Sequence, residues 1–343
     1  MPESQYRVSV VVPTFKRPDL LFRCLTALMA QDFDAGDYEV IIADDAACDE
    51  TRRAVEAWCR SRVPAPPVQR QCSAVRYVAV RGNHGPAAAR NAGWRVARGE
   101  IIAFTDDDCV PTPGWLRAGL AAFTDGVAGV SGRLIVPLQR VPTDYELNAA
   151  QLATSRFVTA NCFYRRACLA TIGGFDERFT SAWREDSDVY FTLLERCAGE
   201  VIPSLSRSFV YAPDAVVIHP LRPARWGVSL GQQRKSMFNA LLYKKHPALY
   251  RQKIQAVPPW HYYVIVGALL MVIGALLGRK QRVAFGAACL WVFMTGRFCL
   301  KRLDRTSCKR RHVGEMLVTS VMIPPLSIFW RIRGAIKFRV FFL

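Results

Sequence analysis

Three consecutive aspartates, Asp106, Asp107 and Asp108, directly follow the apolar run Ile101–Phe104. Carboxylates a few ångströms apart disfavour each other's ionisation, and a hard divalent cation that also binds phosphate oxygens relieves this repulsion. In an extended segment Asp106 and Asp108 point to one side while Asp107 points to the other. Two carboxylates could therefore bind one metal ion or one ligand. The alternative is a solvated aspartate-rich turn; the position behind an apolar strand favours the site, because open α/β sheets bind ligands at the carboxyl ends of their strands.

Polar side chains also follow the first apolar run of the chain. The run Val8–Val12 ends in Pro13 and Thr14, which are expected to turn the chain. Arg17 follows as a cation that could contact a phosphate. If this run is a strand beside Ile101–Phe104, its end belongs to the same edge of the sheet as the aspartates.

Two more segments carry side chains of the kind that bind ligands. The run Val40–Ala43 ends in Asp44 and Asp45, and one of these carboxylates could accept hydrogen bonds from a base or a ribose. Both could instead cap the helix that follows. Gly85 opens a later helix and permits close backbone approach, and Arg90 lies one turn into that helix. Four neighbouring segments with such groups favour a binding site more strongly than any one motif does.

The elements that would position these residues alternate along the first two-thirds of the chain. Short apolar runs predict strands at Val8–Val12, Glu39–Ala43, Val75–Val80, Glu100–Phe104 and Val127–Ser131. Helical periodicity predicts helices at Asp19–Ala30, Glu50–Ser61, Pro86–Ala97 and Pro113–Phe123. Such alternation predicts an α/β fold whose mostly parallel mixed sheet is covered by helices. The alternation weakens over residues 133–160 and resumes with a helix near Asp186–Cys197.

Charge is distributed unevenly between the two parts of the chain. The net charge is +18, and residues 220–343 carry 22 Lys and Arg against two acids. The basic clusters alternate with long apolar runs, which favours an anionic membrane surface as partner and argues against nucleic acid. The eleven cysteines form no Cys-x-x-Cys pair, which favours reduced cytosolic thiols over disulfides or a zinc site. The first apolar run is too short for a signal peptide.

Three C-terminal segments are candidates for membrane association. They are Pro258–Gly278, Val283–Leu300 with Arg297 inside it, and Val313–Trp330, which Pro324 and Pro325 are expected to interrupt. Before them, Ser229–Lys245 has the pattern of an interfacial helix or of an ordinary amphipathic one. Because the connecting loops are all basic, the positive-inside rule does not decide the topology. A hairpin with Arg279–Arg282 outside, a re-entrant segment and a surface-lying segment all remain open.

The order and spacing of the N-terminal motifs resemble the family 2 glycosyltransferases, which are inverting enzymes with the GT-A nucleotide-sugar-binding fold. The resemblance covers about residues 8–220. Val8–Arg17 is similar to the opening strand and first turn, and Asp44 or Asp45 matches the carboxylate that meets the nucleoside. Phe104–Asp108 resembles the metal-binding Asp-x-Asp signature.

The acceptor side of the family is matched by later residues. Asn161–Asp176 resembles the acceptor-side strand and its Gly-Gly-Phe-Asp turn, and Trp183–Asp186 resembles the segment that carries the catalytic base. The resemblance implies Asp186 as the base and Glu185 as a residue that orients the acceptor or tunes the base. Both could instead be acids favoured in the first turn of a helix. His219 stands where some members place a further metal ligand, although a packed histidine is the alternative.

The resemblance implies an inverting, metal-dependent transfer of a single sugar from a nucleotide-diphosphate sugar, by family analogy a UDP-sugar. Its implied contacts with the nucleotide sugar are Pro13, Thr14, Arg17, Asp44, Asp45, Arg90, Asp106 and Asp107. Its implied metal ligands are Asp108, Asp106 and His219. Imidazole suits Mn²⁺ better than Mg²⁺. Gln232–Lys235 only partly matches the Gln-x-x-Arg-Trp motif of processive synthases, which argues against polymer export.

The expected organisation follows from these assignments. We predict a GT-A catalytic domain at residues 1–220, a basic interfacial linker at 221–256 and membrane-associated helices at 257–343. The acceptor is expected to be a membrane lipid or a lipid-linked glycan of the cell envelope. The protein is expected at the plasma (inner) membrane with its catalytic domain in the cytoplasm. Alternatives are a sugar-nucleotide nucleotidyltransferase of the same fold and a non-catalytic scaffold that binds nucleotide sugars.

Overall fold

A computed structural model describes residues 6–61, 75–198 and 208–342 of the protein. The chain forms two compact units. The sheet unit comprises Met1–Pro137 and Gln151–Pro220, and the helical unit comprises Leu138–Ala150 and Leu221–Leu343. The chain therefore leaves the sheet unit at residue 138, contributes thirteen residues to the helical unit, returns at residue 151, and leaves again at residue 221.

The described part of the sheet unit alternates strands and helices as predicted. Its strands are β1 (Tyr6–Thr14), β2 (Tyr38–Asp44), β3 (Val75–Ala79), β4 (Gly99–Phe104), β5 (Val110–Pro111), β6 (Val127–Ile135), β7 (Cys162–Arg165) and β8 (Ser208–Ile218). Its helices are α1 (Pro18–Met29), α2 (Asp49–Ser61), α3 (Pro86–Arg95), α4 (Trp115–Ala121), α6 (Arg166–Ile172) and α7 (Glu185–Ala198). Helix α5 (Asp144–Ala150) belongs to the helical unit.

The strands form one mixed sheet in the order β3-β2-β1-β4-β7-β6-β8-β5. Strands β3, β2, β1 and β4 are parallel neighbours, whereas β7 runs antiparallel to both β4 and β6. The residues of β1 from Val8 onward and all residues of β2 are buried, as expected for parallel strands covered on both faces. The prediction of a mostly parallel mixed sheet covered by helices is confirmed.

Register brings the polar strand ends to one edge of the sheet. Thr14 at the end of β1 is paired with Asp44 at the end of β2, and Val11 is paired with Phe104 at the end of β4. The turn that carries the three aspartates therefore begins beside the end of β1. The hydrophobic residues of the same strands are buried in two core clusters, one on each face of the sheet. This packing fixes the position of the strand ends.

Short helices and three long ones make up the helical unit. After α5, they are α8 (Val228–Gln232), a 3₁₀ turn (Gln233–Ser236), α9 (Met237–Lys245), α10 (Pro247–Lys253), α11 (Trp260–Leu277), α12 (Gln281–Leu303) and α13 (Arg310–Phe338). Helices α11, α12 and α13 are long and apolar enough to cross a membrane. The expected interruption at Pro324 and Pro325 is absent, because α13 continues through both prolines. Each proline removes one hydrogen bond, and packing on both sides can hold a helix together across such a gap.

A buried arginine ties α5 to the long helices within the helical unit. Arg302 in the last turn of α12 donates to Asp144 Oδ2 at 2.8 Å and to the hydroxyls of Thr319 and Ser320 at 2.7 and 3.1 Å. Arg302 and Asp144 are both less than one-tenth exposed. Removing either partner alone would leave a buried charge unpaired, so this contact determines where residues 138–150 pack.

At Gly334, α13 packs directly against the start of α9. A Cβ at this position would lie 2.4 Å from the carbonyl oxygen of Met237, whereas a Cβ at Gly314 in the same helix would meet nothing within 4 Å. We therefore expect Gly334→Ala to destabilise the helical unit by about 1–3 kcal/mol through overpacking. Gly314→Ala should be stabilising by up to about 1 kcal/mol through helix propensity. Thermal unfolding of both variants in detergent checks this, and equal midpoints would contradict the close packing.

Candidate active site

Asp107 is held between the end of β1 and the loop that follows it. Its side chain is fully buried, accepts a hydrogen bond from Thr14 Oγ1 at 2.8 Å and forms an ion pair with Arg17 at 2.9 Å. Burial raises the pKa of Asp107 to about 6, against the opposing effects of Arg17 and Thr14. A second guanidinium nitrogen of Arg17 lies 3.5 Å from Asp108 Oδ2. Arg17 thus joins two of the three aspartates and remains one-third exposed, so it also faces solvent.

Arg90 links the aspartate turn to the start of α7. One terminal nitrogen donates to Asp106 Oδ1 at 2.7 Å and the other donates to Glu185 Oε1 at 3.0 Å. The side chains of Arg90 and Glu185 are each only 3% exposed. Arg90 was predicted to contact the nucleotide sugar. In the structure, both of its terminal nitrogens instead donate to carboxylates of the protein. The arginine acts as a bridge between two parts of the site.

Four side chains at this edge could hold a metal ion. Ligand atoms of Asp106, Asp108, Cys109 and His219 all lie within 4.8 Å of one another. His219 Nε2 is 3.6 Å from Asp108 Oδ1, and His219 Nδ1 is buried without a hydrogen-bond partner in the described part of the chain. Two carboxylates and an imidazole suit Mn²⁺, so the residues present fit a divalent ion. Cys109 was not predicted, because a cysteine next to an Asp-rich turn has no distinguishing spacing.

The two carboxylates at the end of β2 have different surroundings. Asp44 is fully buried, accepts the main-chain N–H groups of Ala46 and Cys48 at 3.0 Å each, and accepts the Tyr77 hydroxyl at 2.7 Å. These bonds close the turn before α2, whereas the first turn of α2 is met by Cys48, whose Sγ accepts the main-chain N–H of Thr51 at 3.5 Å. Asp44 therefore holds a turn and is not the helix cap that the sequence left open. Asp45 instead reaches across to α3 and accepts the main-chain N–H of Gly85 at 2.9 Å. Pro13 lies inside β1, buried and paired with Ala43 in the register of the sheet.

The proposed base lies in the first turn of α7. Burial raises the pKa of Asp186, and the main-chain N–H of Ser187, which donates to Asp186 Oδ1 at 2.6 Å, opposes that shift. Burial likewise raises the pKa of Glu185 to about 7, with Arg90 lowering it and the Asp186 charge raising it. Arg184, directly before the pair, has a left-handed φ of 77° that is uncommon for a residue with a side chain. Such strain is often found at functional sites.

Asn91 fixes the turn that precedes this segment. Its Nδ2 donates to the carbonyl of Phe175 and its Oδ1 accepts the N–H of the same residue, at 2.8 and 2.9 Å. Gly174 in this turn has φ +84°, and a Cβ there would lie 2.4 Å from Trp94 Nε1. Only glycine fits both conditions. The position of Asn91, one residue after Arg90, gave no sequence indication of this role.

The pKa directions predict how transfer depends on pH. A general base acts only when unprotonated, so we expect kcat to rise with pH over a range above the ordinary pKa of an aspartate. Glu185→Gln removes a negative neighbour, which lowers the pKa of Asp186 and should shift the rise to lower pH. Arg90 can still donate to the glutamine oxygen. A pH profile of kcat at saturating substrates checks this, and an unshifted profile would contradict the coupling of the two acids.

Comparison with known proteins places this arrangement in a family. The profile of the family "Glycosyl transferase family 2" matches residues 9–179, about half of the chain. The match includes the aspartate turn and ends before Glu185, Asp186 and His219. The chain also resembles the solved structure of a mannosyltransferase from Pyrobaculum calidifontis, determined in complex with GDP-Man and Mn²⁺. The TM-score is 0.53 at 18% sequence identity, over 98% of this chain and 88% of the other. At this identity the likeness shows the GT-A fold alone.

Two relatives agree with this placement. Glycosyltransferase AglE of Haloferax volcanii is 26% identical over 230 residues, which are 63% of this chain and 67% of the relative. The GalNAc(5)-diNAcBac-PP-undecaprenol beta-1,3-glucosyltransferase of Campylobacter jejuni is 30% identical over 131 residues, 38% of each chain. The protein belongs to glycosyl transferase family 2 and is a glycosyltransferase with apolar C-terminal helices that indicate membrane association.

Proposed function

We propose that the protein transfers a single sugar, with inversion, from a nucleotide-diphosphate sugar to a hydroxyl of a lipid-linked acceptor. The observation that supports this most directly is the Asp106–Arg90–Glu185 bridge, with bonds of 2.7 and 3.0 Å. It joins the aspartates at the end of β4 to the acidic first turn of α7 through one buried cation. Donor binding and proton acceptance would thus be held in a fixed relation, as a displacement at the anomeric carbon requires.

The donor is proposed to bind along the carboxyl edge of the sheet. Asp45 is better placed for the nucleoside than Asp44, because the Asp45 side chain is 15% exposed whereas Asp44 is fully buried. Arg17, one-third exposed, is the cation available to the diphosphate. Asp107 would act indirectly, by holding Arg17 and Thr14 in position. UDP is proposed as the nucleotide by family analogy.

A divalent ion, Mn²⁺ or Mg²⁺, is proposed to be held by Asp108, Asp106 and His219. When bound, it would neutralise charge on the leaving diphosphate. The chain's own contribution is to hold the ligand atoms within 4.8 Å of one another and to limit the repulsion of the carboxylates through Arg17 and Arg90. Imidazole among the ligands favours Mn²⁺.

Asp186 is proposed to accept the proton of the acceptor hydroxyl. Its raised pKa makes it a stronger base than an exposed aspartate. Glu185, held by Arg90, would tune that pKa through its charge. Residues 1–220 are proposed as the catalytic domain, 221–256 as a basic interfacial linker and 257–343 as the membrane region. This organisation suits an acceptor at the cytoplasmic face of the plasma membrane.

A donor panel tests the proposal. Purified full-length protein is incubated with UDP-, GDP- and dTDP-sugars, Mn²⁺ or Mg²⁺, and membrane lipid extract, and nucleotide diphosphate release is measured. Release from one donor that requires both metal and lipid extract is the expected result. Pyrophosphate exchange with a nucleoside triphosphate would indicate the nucleotidyltransferase alternative instead. Binding of donor without turnover under every condition would indicate a non-catalytic scaffold.

A further inference from the structure

We infer that α13 lies flat in one phospholipid leaflet and does not cross the bilayer, although its length and composition would allow crossing. The inference concerns the helical unit alone and does not depend on the sugar that is transferred. Its partner is the lipid of a single leaflet, bound by an exposed apolar face of α13. Three observations support it.

Both ends of α13 contact the same stretch of chain, residues 227–255, which precedes α11. Near the start of α13, Glu315 Oε1 accepts the main-chain N–H of Gly227 at 2.7 Å. Near its end, Lys244 Nζ donates to the carbonyl of Phe338 at 2.8 Å. Between these contacts α13 packs along α8, the 3₁₀ turn and α9.

This stretch cannot itself cross a membrane. Residues 227–255 contain six Lys and Arg and no acid, and four of these cations lie within its longest continuous helical run, Val228–Lys245. A crossing segment needs about 20 largely apolar residues. The stretch therefore stays at the polar surface. Because α13, about 43 Å long at 1.5 Å per residue, is attached to it at both ends, α13 is held at that surface too.

The contact with α12 gives an independent argument. Helices α12 and α13 are joined by six residues, 304–309. If α13 returned across the bilayer beside α12, Ser320 would lie near the middle of α12, about 15 Å from its end. Arg302 in the last turn of α12 instead bonds Thr319 and Ser320 at 2.7 and 3.1 Å. The middle of α13 therefore contacts the C-terminal end of α12, which is the end opposite the turn between α11 and α12.

The face of α13 turned away from these contacts is apolar and exposed. Its exposed apolar side chains recur at helical spacing, with fractional exposures of 43–73%: Leu317, Val318, Met322, Phe329, Ile332 and Ile336. Exposed Arg333, Lys337 and Arg339 follow at the C-terminal end. A helix with one apolar face and flanking basic residues lies in the plane of the interface, with its apolar face toward the acyl chains and its cations toward lipid phosphates.

Depth measurement separates the flat arrangement from a crossing one. A fluorescent non-natural amino acid is placed at Leu317 or Ile336 of the full chain, in vesicles of phosphatidylethanolamine and phosphatidylglycerol. Quenching by lipids labelled at graded depths then locates each position. The two sites are 19 residues apart, or about 28 Å along the axis. We expect equal depths within about 5 Å; depths that differ by more than about 15 Å would overturn the inference. Val264 and Leu276 on α11 form the comparison pair and should differ by about 18 Å.

Accessibility of two tags provides a second test within the same unit. One epitope is inserted after Arg279, in the turn between α11 and α12, and another follows Leu343. If α11 and α12 cross and α13 lies flat, the two tags are on opposite sides of the membrane. Three crossings would put both tags on the same side. If protease treatment of sealed vesicles leaves both tags protected, the inference is overturned. Nucleotide release by the tagged proteins is assayed in parallel, so that a wrong catalytic assignment is recognised separately.

Discussion

Replacement of Asp186 by asparagine is expected to lower kcat about 1,000-fold, within the 10²–10⁴ range typical of a general base. Asparagine keeps the shape of the side chain and can still accept the Ser187 N–H that Asp186 Oδ1 now accepts at 2.6 Å. It cannot take up a proton at neutral pH. The first turn of α7 should therefore remain intact while proton acceptance is lost.

The measurements for this variant are kcat with saturating substrates and the dissociation constant of the nucleotide diphosphate with metal. The dissociation constant should change less than about threefold, because Asp186 is proposed to act on the acceptor side and not on the nucleotide. Glu195→Gln, which removes an exposed carboxylate from the same helix, is the matched control and should keep kcat within a factor of two or so. An Asp186→Asn enzyme with unchanged kcat would refute the assignment of Asp186 as the base, and Glu185 would then be the candidate base.

Replacement of Arg90 by methionine is expected to have the largest effect on stability. It leaves Asp106 and the buried Glu185 without the cation that now bonds both, at 2.7 and 3.0 Å. Breaking a buried ion pair by removing one partner destabilises a protein by about 3–5 kcal/mol. Transfer activity should be lost as well, because the two sides of the site are no longer held together. Arg90→Lys keeps the charge but cannot form two bonds in a fixed plane.

Neutralising Glu185 should partly restore the stability of Arg90→Met, and this tests whether the unpaired charge causes the loss. Without Arg90 the pKa of Glu185 rises further above its value of about 7, so lowering the pH neutralises the orphaned acid. The stability deficit of Arg90→Met should therefore be smaller at pH 5.5 than at pH 8, and Glu185→Gln in the same background should reduce it at pH 8. Arg95→Met is the control, since Arg95 lies on the same helix but is 55% exposed. Thermal unfolding in detergent at both pH values checks this; an equal deficit at both would contradict the mechanism.

Local pattern was sufficient for the parallel strands of the sheet and for the edge at which the candidate site lies. Apolar runs that end in Thr14, Asp44 and Asp106 indicated strands, and parallel strands necessarily bring their carboxyl ends to one edge. What local pattern could not supply is which charges pair across that edge. Arg90 and Glu185 are 95 residues apart, and no spacing rule relates them. The same limit applies to Asp44, which accepts the hydroxyl of Tyr77 from another strand.

The helical unit was harder to predict for a physical reason. Hydropathy indicates whether a helix is apolar enough to enter a membrane, but it does not indicate how the helix is oriented relative to the bilayer. Val313–Trp330 therefore looked like a third span broken by two prolines. Its contacts with Gly227 and Arg302 depend on residues far away in sequence. The packing of α5 was equally difficult to predict, because the capping box of Thr143 and Glu146 marks where a helix begins and does not indicate what that helix packs against.

The bond between Asp144 and Arg302 also has a consequence for biosynthesis. The two residues are separated by 158 positions, and a ribosome that adds about 5–20 residues per second needs roughly 8–30 s to reach the second after the first. During that interval α5 has emerged without the cation that it packs against, while the flanking strands β6 and β7 are already able to pair. A fragment that stops before α12 would remain permanently in this unfinished state. Expression of residues 1–220 alone is therefore expected to give material that associates through the 138–150 segment.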